Sequence, residues 1–320
     1  MFPNLDNVLQ TLVNCVNKLS MDTRKIVKGN HTRKTAAFVK ACSAYCFITI
    51  PTILSTIHRM DLYLLSGQVA LVNLCLGQAD ACFEAAINLI PELPKYVEID
   101  GKQRSTETHL QSYVQKFLSI LIVVPVSFRS YQIIFSCNFL SLLQDSPEQG
   151  VLYLLRTLIE NVKQYDFDPN GTTLAIIYLY ILDTLSSCAQ EVYPYHLQHV
   201  VSNDQLYGSD PKFINEVNVI CSQIVEELLE MLKQLADRPN VQCHVALELF
   251  TRVATMSDLT DDKLFILAVN LWNLVVKNRK LEQKTLLKTL QHLESIKSAT
   301  KSNTYVKRLE DLLIKIRSKL

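Results

Sequence analysis

The stretch PKFINEVNVICSQIVEELLEMLKQLA, residues 211–236, decides the fold. Ile214, Val217, Cys221, Ile224, Leu228, Leu232 and Leu235 recur at three- and four-residue steps. That spacing puts them on one side of an α-helix, and Pro211 suits its first turn. No strand pattern fits, because alternation with a period of two is missing. The same rhythm recurs along the chain. Leu5, Val8, Leu9, Leu12, Val16 and Leu19 mark a helix over about 5–27, which Gly29 and Asn30 end. Further helices are predicted near 34–49, with a continuation past Pro51 to His58, and as a pair over 60–90 hinged near Gly77. Others fall near 106–124, 148–164, 172–191, 240–256, 261–278, 281–297 and 303–319. Pro91 and Pro94 open a polar loop that runs through Asp100-Gly101 to Ser105.

Composition agrees. The 320 residues include 7 glycines, all at or before Gly208. Hairpins and phosphate-cradling turns need glycine at positive φ, so sandwiches, barrels and dinucleotide folds are disfavoured. The expected class is all-α, an HEAT-like α-solenoid of about ten to twelve antiparallel helices over residues 1–320. A compact helical bundle is the second architecture. No sustained heptad supports a coiled coil.

The formal net charge of +1 speaks against a nucleic-acid binder. Charge is uneven: residues 1–40 hold seven Lys/Arg against two Asp, and residues 277–320 hold twelve against four acids. Nine cysteines at irregular spacing read as reduced thiols of a cytosolic protein, not a disulfide framework. No secretory signal is recognised at the start, so the sequons at Asn30 and Asn170 are expected to stay unmodified. The apolar stretches 41–57, 117–143 and 172–187 are short or interrupted by proline and polar residues. They read as core helices rather than membrane spans.

A search for chemistry finds no phosphate loop, zinc CxxC pair, HExxH or GxSxG elbow. Cys42 and Cys46 lie one turn apart without histidine partners, the pattern of two small buried residues. His196 and His199 lack a thiol or carboxylate at ligand spacing. No catalytic residue, metal site or cofactor is expected. An aromatic and polar segment holding Tyr193, Tyr195, His196, His199, Asn203, Asp204 and Tyr207 is a candidate partner interface. Its turn-forming residues also fit a purely local role. Trp272, the one tryptophan, is a second interface candidate, with core packing as the ordinary role of such a residue. The basic last helix has an alternative as a contact for an anionic membrane surface.

Specific runs carry a resemblance. They are Lys28 to Val39, Ala44 to Pro51, Ser66 to Leu71, Ile99 to Lys102, Ser202 to Asp204 with Leu206 to Gly208, and Val269 to Trp272. Together they resemble the C-terminal part of the vacuolar protein sorting-associated protein 35-like family, the large subunit of Retriever. The resemblance runs from about residue 4 to 300 and is weakest in the final helices. It implies a non-enzymatic scaffold that recycles integral-membrane cargo from endosomes to the plasma membrane. The implied partners are the metallophosphoesterase-like subunit, vacuolar protein sorting-associated protein 29, and the coiled-coil and COMM-domain proteins of Commander. The arrestin-like subunit is held by the family's N-terminal part, which the resemblance leaves outside this sequence. The implied location is the cytoplasm and the cytosolic face of the endosome, as a peripheral protein. An unrelated helical-repeat adaptor is the alternative, and a multi-span membrane protein the third reading.

One departure from the family pattern stands out. There an apolar helix end runs directly into Pro-Asp-x-Pro-Glu-x-Gly-Val-Leu. Here residues 126–144 separate Pro125 from Asp145-Ser146-Pro147-Glu148. Removing them restores the pattern. The segment opens with Val126-Ser127, which a splice-donor sequence encodes, and closes on Gln144, which CAG encodes. It reads as a short retained intron, with an insertion in a surface loop as the alternative.

Overall fold

The computed structural model describes residues 3–99, 101–124, 150–189, 211–278, 280–299 and 303–319. Among them are twelve α-helices and one short hairpin. The helices are α1 (Pro3–Ile26), α2 (Arg33–Thr49), α3 (Thr56–Val72), α4 (Leu76–Asn88), α5 (Glu107–Leu121), α6 (Val151–Gln164) and α7 (Thr173–Cys188). They continue as α8 (Pro211–Gln234), α9 (Pro239–Met256), α10 (Asp262–Lys277), α11 (Gln283–Ala299) and α12 (Asn303–Arg317). Within the single stretch expected, the described residues form two compact units, one of those up to residue 169 and one of 170–189 with those from 211 onward. The segment 126–144 lies outside the described residues.

In the first unit, local chemistry sets the helix ends. Gly29, at φ +79°, lets its N–H donate to Arg24 O at 3.0 Å and closes α1. Thr32 and Thr35 exchange side-chain and backbone hydrogen bonds as a capping box at the start of α2. The chain does not continue helically from α2 to His58. A 3₁₀ turn over Ile50–Thr52 intervenes, and Ser55 caps a new helix, α3. The α3–α4 break also differs from expectation. It falls at Asn73–Cys75, with Leu74 at φ +60°, while Gly77 sits inside the first turn of α4. Gly67 has the packing role. A Cβ there would meet the Phe83 ring at 2.5 Å, so only glycine lets α3 and α4 approach this closely.

The polar loop expected before Ser105 is in part a hairpin. β1 (Tyr96–Ile99) pairs antiparallel with β2 (Lys102–Ser105), and Gly101 takes φ +72°. Asp-Gly directly after Tyr96-Val97-Glu98-Ile99, a run with aromatic and β-branched residues, is a hairpin signal that outweighs the loop reading. Thr106 anchors its end: its hydroxyl donates to Pro94 O at 2.6 Å and lies 2.7 Å from the Tyr165 hydroxyl. Glu107 accepts from Asp168 N at 2.6 Å, which ties down the segment after α6.

The direction of α1 is the main surprise. Its inward residues are Val13, Asn17 and Ser20, while Leu5, Val8, Leu12 and Leu19 are exposed. Asn17 donates to Ser66 of α3 at 2.9 Å, and the Cys46 thiol lies 3.7 Å from Asn17 Oδ1. Periodicity correctly groups the leucines on one side but does not say which way that side points.

The second unit holds α7 to α12. Phe213, Val217, Ile220, Ile224, Leu228 and Leu232 form the buried stripe of α8. Arg252 of α9 makes a two-pronged ion pair with Asp183 of α7, at 2.8 and 2.9 Å, and a third bond to Glu248 at 2.7 Å. α12 is fastened by Tyr305, which donates to Ala254 O at 2.7 Å, and by ion pairs Arg308–Asp262, Lys297–Glu310 and Arg317–Glu294.

Candidate interaction surface

The interface candidates part company. Tyr193, Tyr195, His196, His199, Asn203, Asp204 and Tyr207 lie outside the described residues. Trp272 is described and fully buried. Its indole N–H donates to Ile316 O at 3.1 Å, and its ring centroid lies 5.0 Å from that of Phe250. The partner-anchor reading of Trp272 is therefore corrected. The terminal helix α12 already occupies the face an outside partner would need, and the ring's one donor is satisfied there. Two basic side chains of α12 lie against α10: Arg308 and Lys315 stand over the Phe265 ring, at 5.4 and 4.6 Å.

A groove of ≈ 400 Å³ lies elsewhere in the second unit. Leu229 and Leu232 of α8 and Leu267, Leu271 and Leu274 of α10 supply its apolar walls. Gln242 of α9 reaches it, but its amide is engaged: Nε2 donates to Leu232 O at 2.8 Å and Oε1 accepts from Asn278 at 3.1 Å. Lys233 at the rim is paired with Glu230 at 2.9 Å. An apolar cleft of this kind is suited to burying side chains. Sequence reading missed it because its walls come from three helices, none of which is unusual alone.

Burial dominates the ionisable groups described in the core. Burial pushes the thiols of Cys46 and Cys75 up to about 11 and that of Cys82 up to about 12. Such thiols stay protonated and are poor nucleophiles or ligands. Each described cysteine is a free thiol, and Cys15 alone of them is exposed. Among the described residues no three His, Cys, Asp or Glu side chains group as a metal site. No described helix is long and apolar enough to cross a membrane.

Comparison with known proteins then decides the family. The family model described as "VPS35L C-terminal domain" matches residues 1–131 and 126–319. The chain belongs to the VPS35L C-terminal domain family. A Homo sapiens relative named "VPS35 endosomal protein-sorting factor-like" is 44% identical over 92% of this chain, and a Drosophila melanogaster relative with nearly the same name is 46% identical over 99%. A Dictyostelium discoideum relative is 36% identical over 89%. The chain spans 29% of the human relative's length and 31% of the fly relative's. In fold it resembles a solved "circular tandem repeat protein with novel repeat topology and enhanced subunit contact surfaces", with a TM-score of 0.51 and 11% identity. That match covers 98% of this chain and 71% of the other. It speaks to fold alone, and with the helix content it makes this an all-α protein of the α-solenoid class. Family membership sets aside the unrelated adaptor.

Proposed function

We propose that this chain is a non-enzymatic scaffold of a Retriever- and Commander-type assembly that recycles integral-membrane cargo from endosomes to the plasma membrane. The observation that carries this is the family match over nearly the whole chain, to relatives named as endosomal protein-sorting factors. The structural support is physical. Packed helices offer a surface of side chains, and binding to such a surface depends on shape and a few anchors. The expected partner is the metallophosphoesterase-like subunit, vacuolar protein sorting-associated protein 29, with the coiled-coil and COMM-domain proteins beyond it. The arrestin-like subunit is not assigned to this part of the scaffold. The chain acts in the cytoplasm, as a peripheral protein on the endosomal surface.

The reading of residues 126–144 as a retained intron belongs to this proposal. It is supported by the pattern that excision restores. A transcript joining the Pro125 and Asp145 codons supports it. Transcripts that uniformly include the segment make it a loop insertion instead.

The test is a pull-down with the metallophosphoesterase-like subunit, using the chain with and without residues 126–144. Capture by the shortened chain, or by both, supports the scaffold. If neither form is captured, the assignment of this partner to this segment fails.

A further inference from the structure

Two residues other than glycine take positive φ among those described, Lys28 at 51° and Leu74 at 60°. Both follow helix ends, Lys28 after α1 and Leu74 after α3, and their two turns are bonded to each other. Arg24 donates to Val72 O across them, and His31 Nε2 donates to Asn73 Oδ1 at 3.0 Å. The Asn73 oxygen is the acceptor there, because its amide nitrogen donates to Val69 O at 2.8 Å. Left-handed backbone is costly for an L-residue, and glycine or asparagine is the ordinary choice at a helix end. The turn before Cys75 holds an asparagine at 73 yet puts a leucine in the left-handed position. Strain of this kind gathers where a side chain is needed at a fixed place.

The side chains presented there are cationic and apolar. Residues 23–40 hold six Lys/Arg and no acid. Lys28, Arg33 and Lys34 are exposed, and none of them has an ion-pair partner among the described residues. Arg33 and Lys34 stand in the first turn of α2, the end at which a helix dipole disfavours positive charge. Thr32 and Thr35 already cap that end, so the helix itself gives no reason for the cations. The adjoining turn, residues 71–79, carries no charge, and Val72 and Leu74 are each 37% exposed.

We propose that this pair of turns is a docking point for an anionic lipid surface. The unpaired cations attract acidic headgroups, and Leu74 beside them enters the headgroup layer. Two observations favour lipid over an acidic protein segment. Cations and apolar residues stand together on turns at one end of their helices, and a bilayer surface uses both kinds of side chain at once. An acidic segment would need the cations alone and would leave the strained placement of Leu74 without a purpose. The inference rests on the endosomal reading above for the membrane it meets, but its test needs no protein partner, so the two can fail separately.

The experiment floats the intact 320-residue chain with vesicles of phosphatidylcholine, alone or with about one fifth phosphatidylserine. Capture by the acidic vesicles only is expected, and it should weaken as salt rises. Lys28→Glu combined with Arg33→Glu should lower capture roughly tenfold or more, with helix content unchanged by circular dichroism because both side chains are exposed. Leu74→Asn separates docking from folding. Asparagine accepts left-handed backbone, so urea unfolding should show equal or greater stability while capture falls severalfold. Lys307→Glu, on α12, should leave capture unchanged. No capture, equal capture by both kinds of vesicle, or capture that the turn variants leave intact overturns the proposal. So does binding of polyglutamate, with vesicles ignored, that Lys28→Glu with Arg33→Glu abolishes, since that result makes the surface a contact for an acidic protein segment.

Discussion

Replacing Gly67 by alanine tests the close approach of α3 and α4. The added Cβ would stand 2.5 Å from the Phe83 ring, against an ordinary contact of about 3.5–4 Å. The ring must therefore retreat by roughly 1 Å. Phe83 is fully buried and meets Phe117 edge-on, with centroids 5.8 Å apart, so it has nowhere to swing. Overpacking of this kind costs about 1–3 kcal/mol. Alanine also gains about 1 kcal/mol over glycine in a helix interior. The net expectation is a loss of about 1–2 kcal/mol, the balance of those two effects. Gly67→Val adds a branched carbon at the same place and should lose more. Urea unfolding followed by far-ultraviolet circular dichroism measures the change. The double variant Gly67→Ala with Phe83→Leu should recover part of the loss, since the smaller side chain yields the space. The sign is decisive. If Gly67→Ala is neutral or stabilising, propensity dominates and the close approach does not exist.

Other outcomes follow from the same structure. Trp272→Ala should cost about 3–5 kcal/mol, the range for emptying a large buried aromatic site, and should loosen α12 in hydrogen exchange. Trp272→Phe should cost less, losing the bond to Ile316 O but keeping most of the ring contact. Burial, then the nearby Glu84, raises the Asp80 carboxyl from 3.8 to about 6. A folded pKa above the unfolded one means that the folded state binds more protons between those values, so stability falls as pH rises from about 4 to 6. Asp80→Asn should flatten that slope and raise stability at pH 7.5 by roughly 2 kcal/mol, as measured by urea unfolding across pH. Under native conditions a thiol reagent should modify Cys15 quickly, while Cys46, Cys75 and Cys82 should react only on unfolding.

Helix identity was legible in the sequence because apolar spacing of three and four repeats through almost every segment. The predicted 211–236 helix appears as α8 with a 3₁₀ turn over Leu235–Asp237, and the last four helices start and stop within about two residues of expectation. What periodicity could not supply was orientation. The leucines of α1 share a side, but only the packing of α1 on α3, where Asn17 meets Ser66, shows that this side faces outward. The α3–α4 break was misplaced because Gly77 drew attention from Asn73, whose side chain caps its own helix by donating to Val69 O at 2.8 Å. The groove was invisible because contact among α8, α9 and α10 creates it. Trp272 showed the opposite limit: residue type alone suits both a core and an interface, and only the position of Ile316 separates them.

The scaffold claim meets its most direct test in a binding titration of the purified chain, lacking residues 126–144, against purified metallophosphoesterase-like subunit. The account predicts a saturable one-to-one complex. No saturable binding by the correctly folded chain, with its helix content verified, would contradict the account.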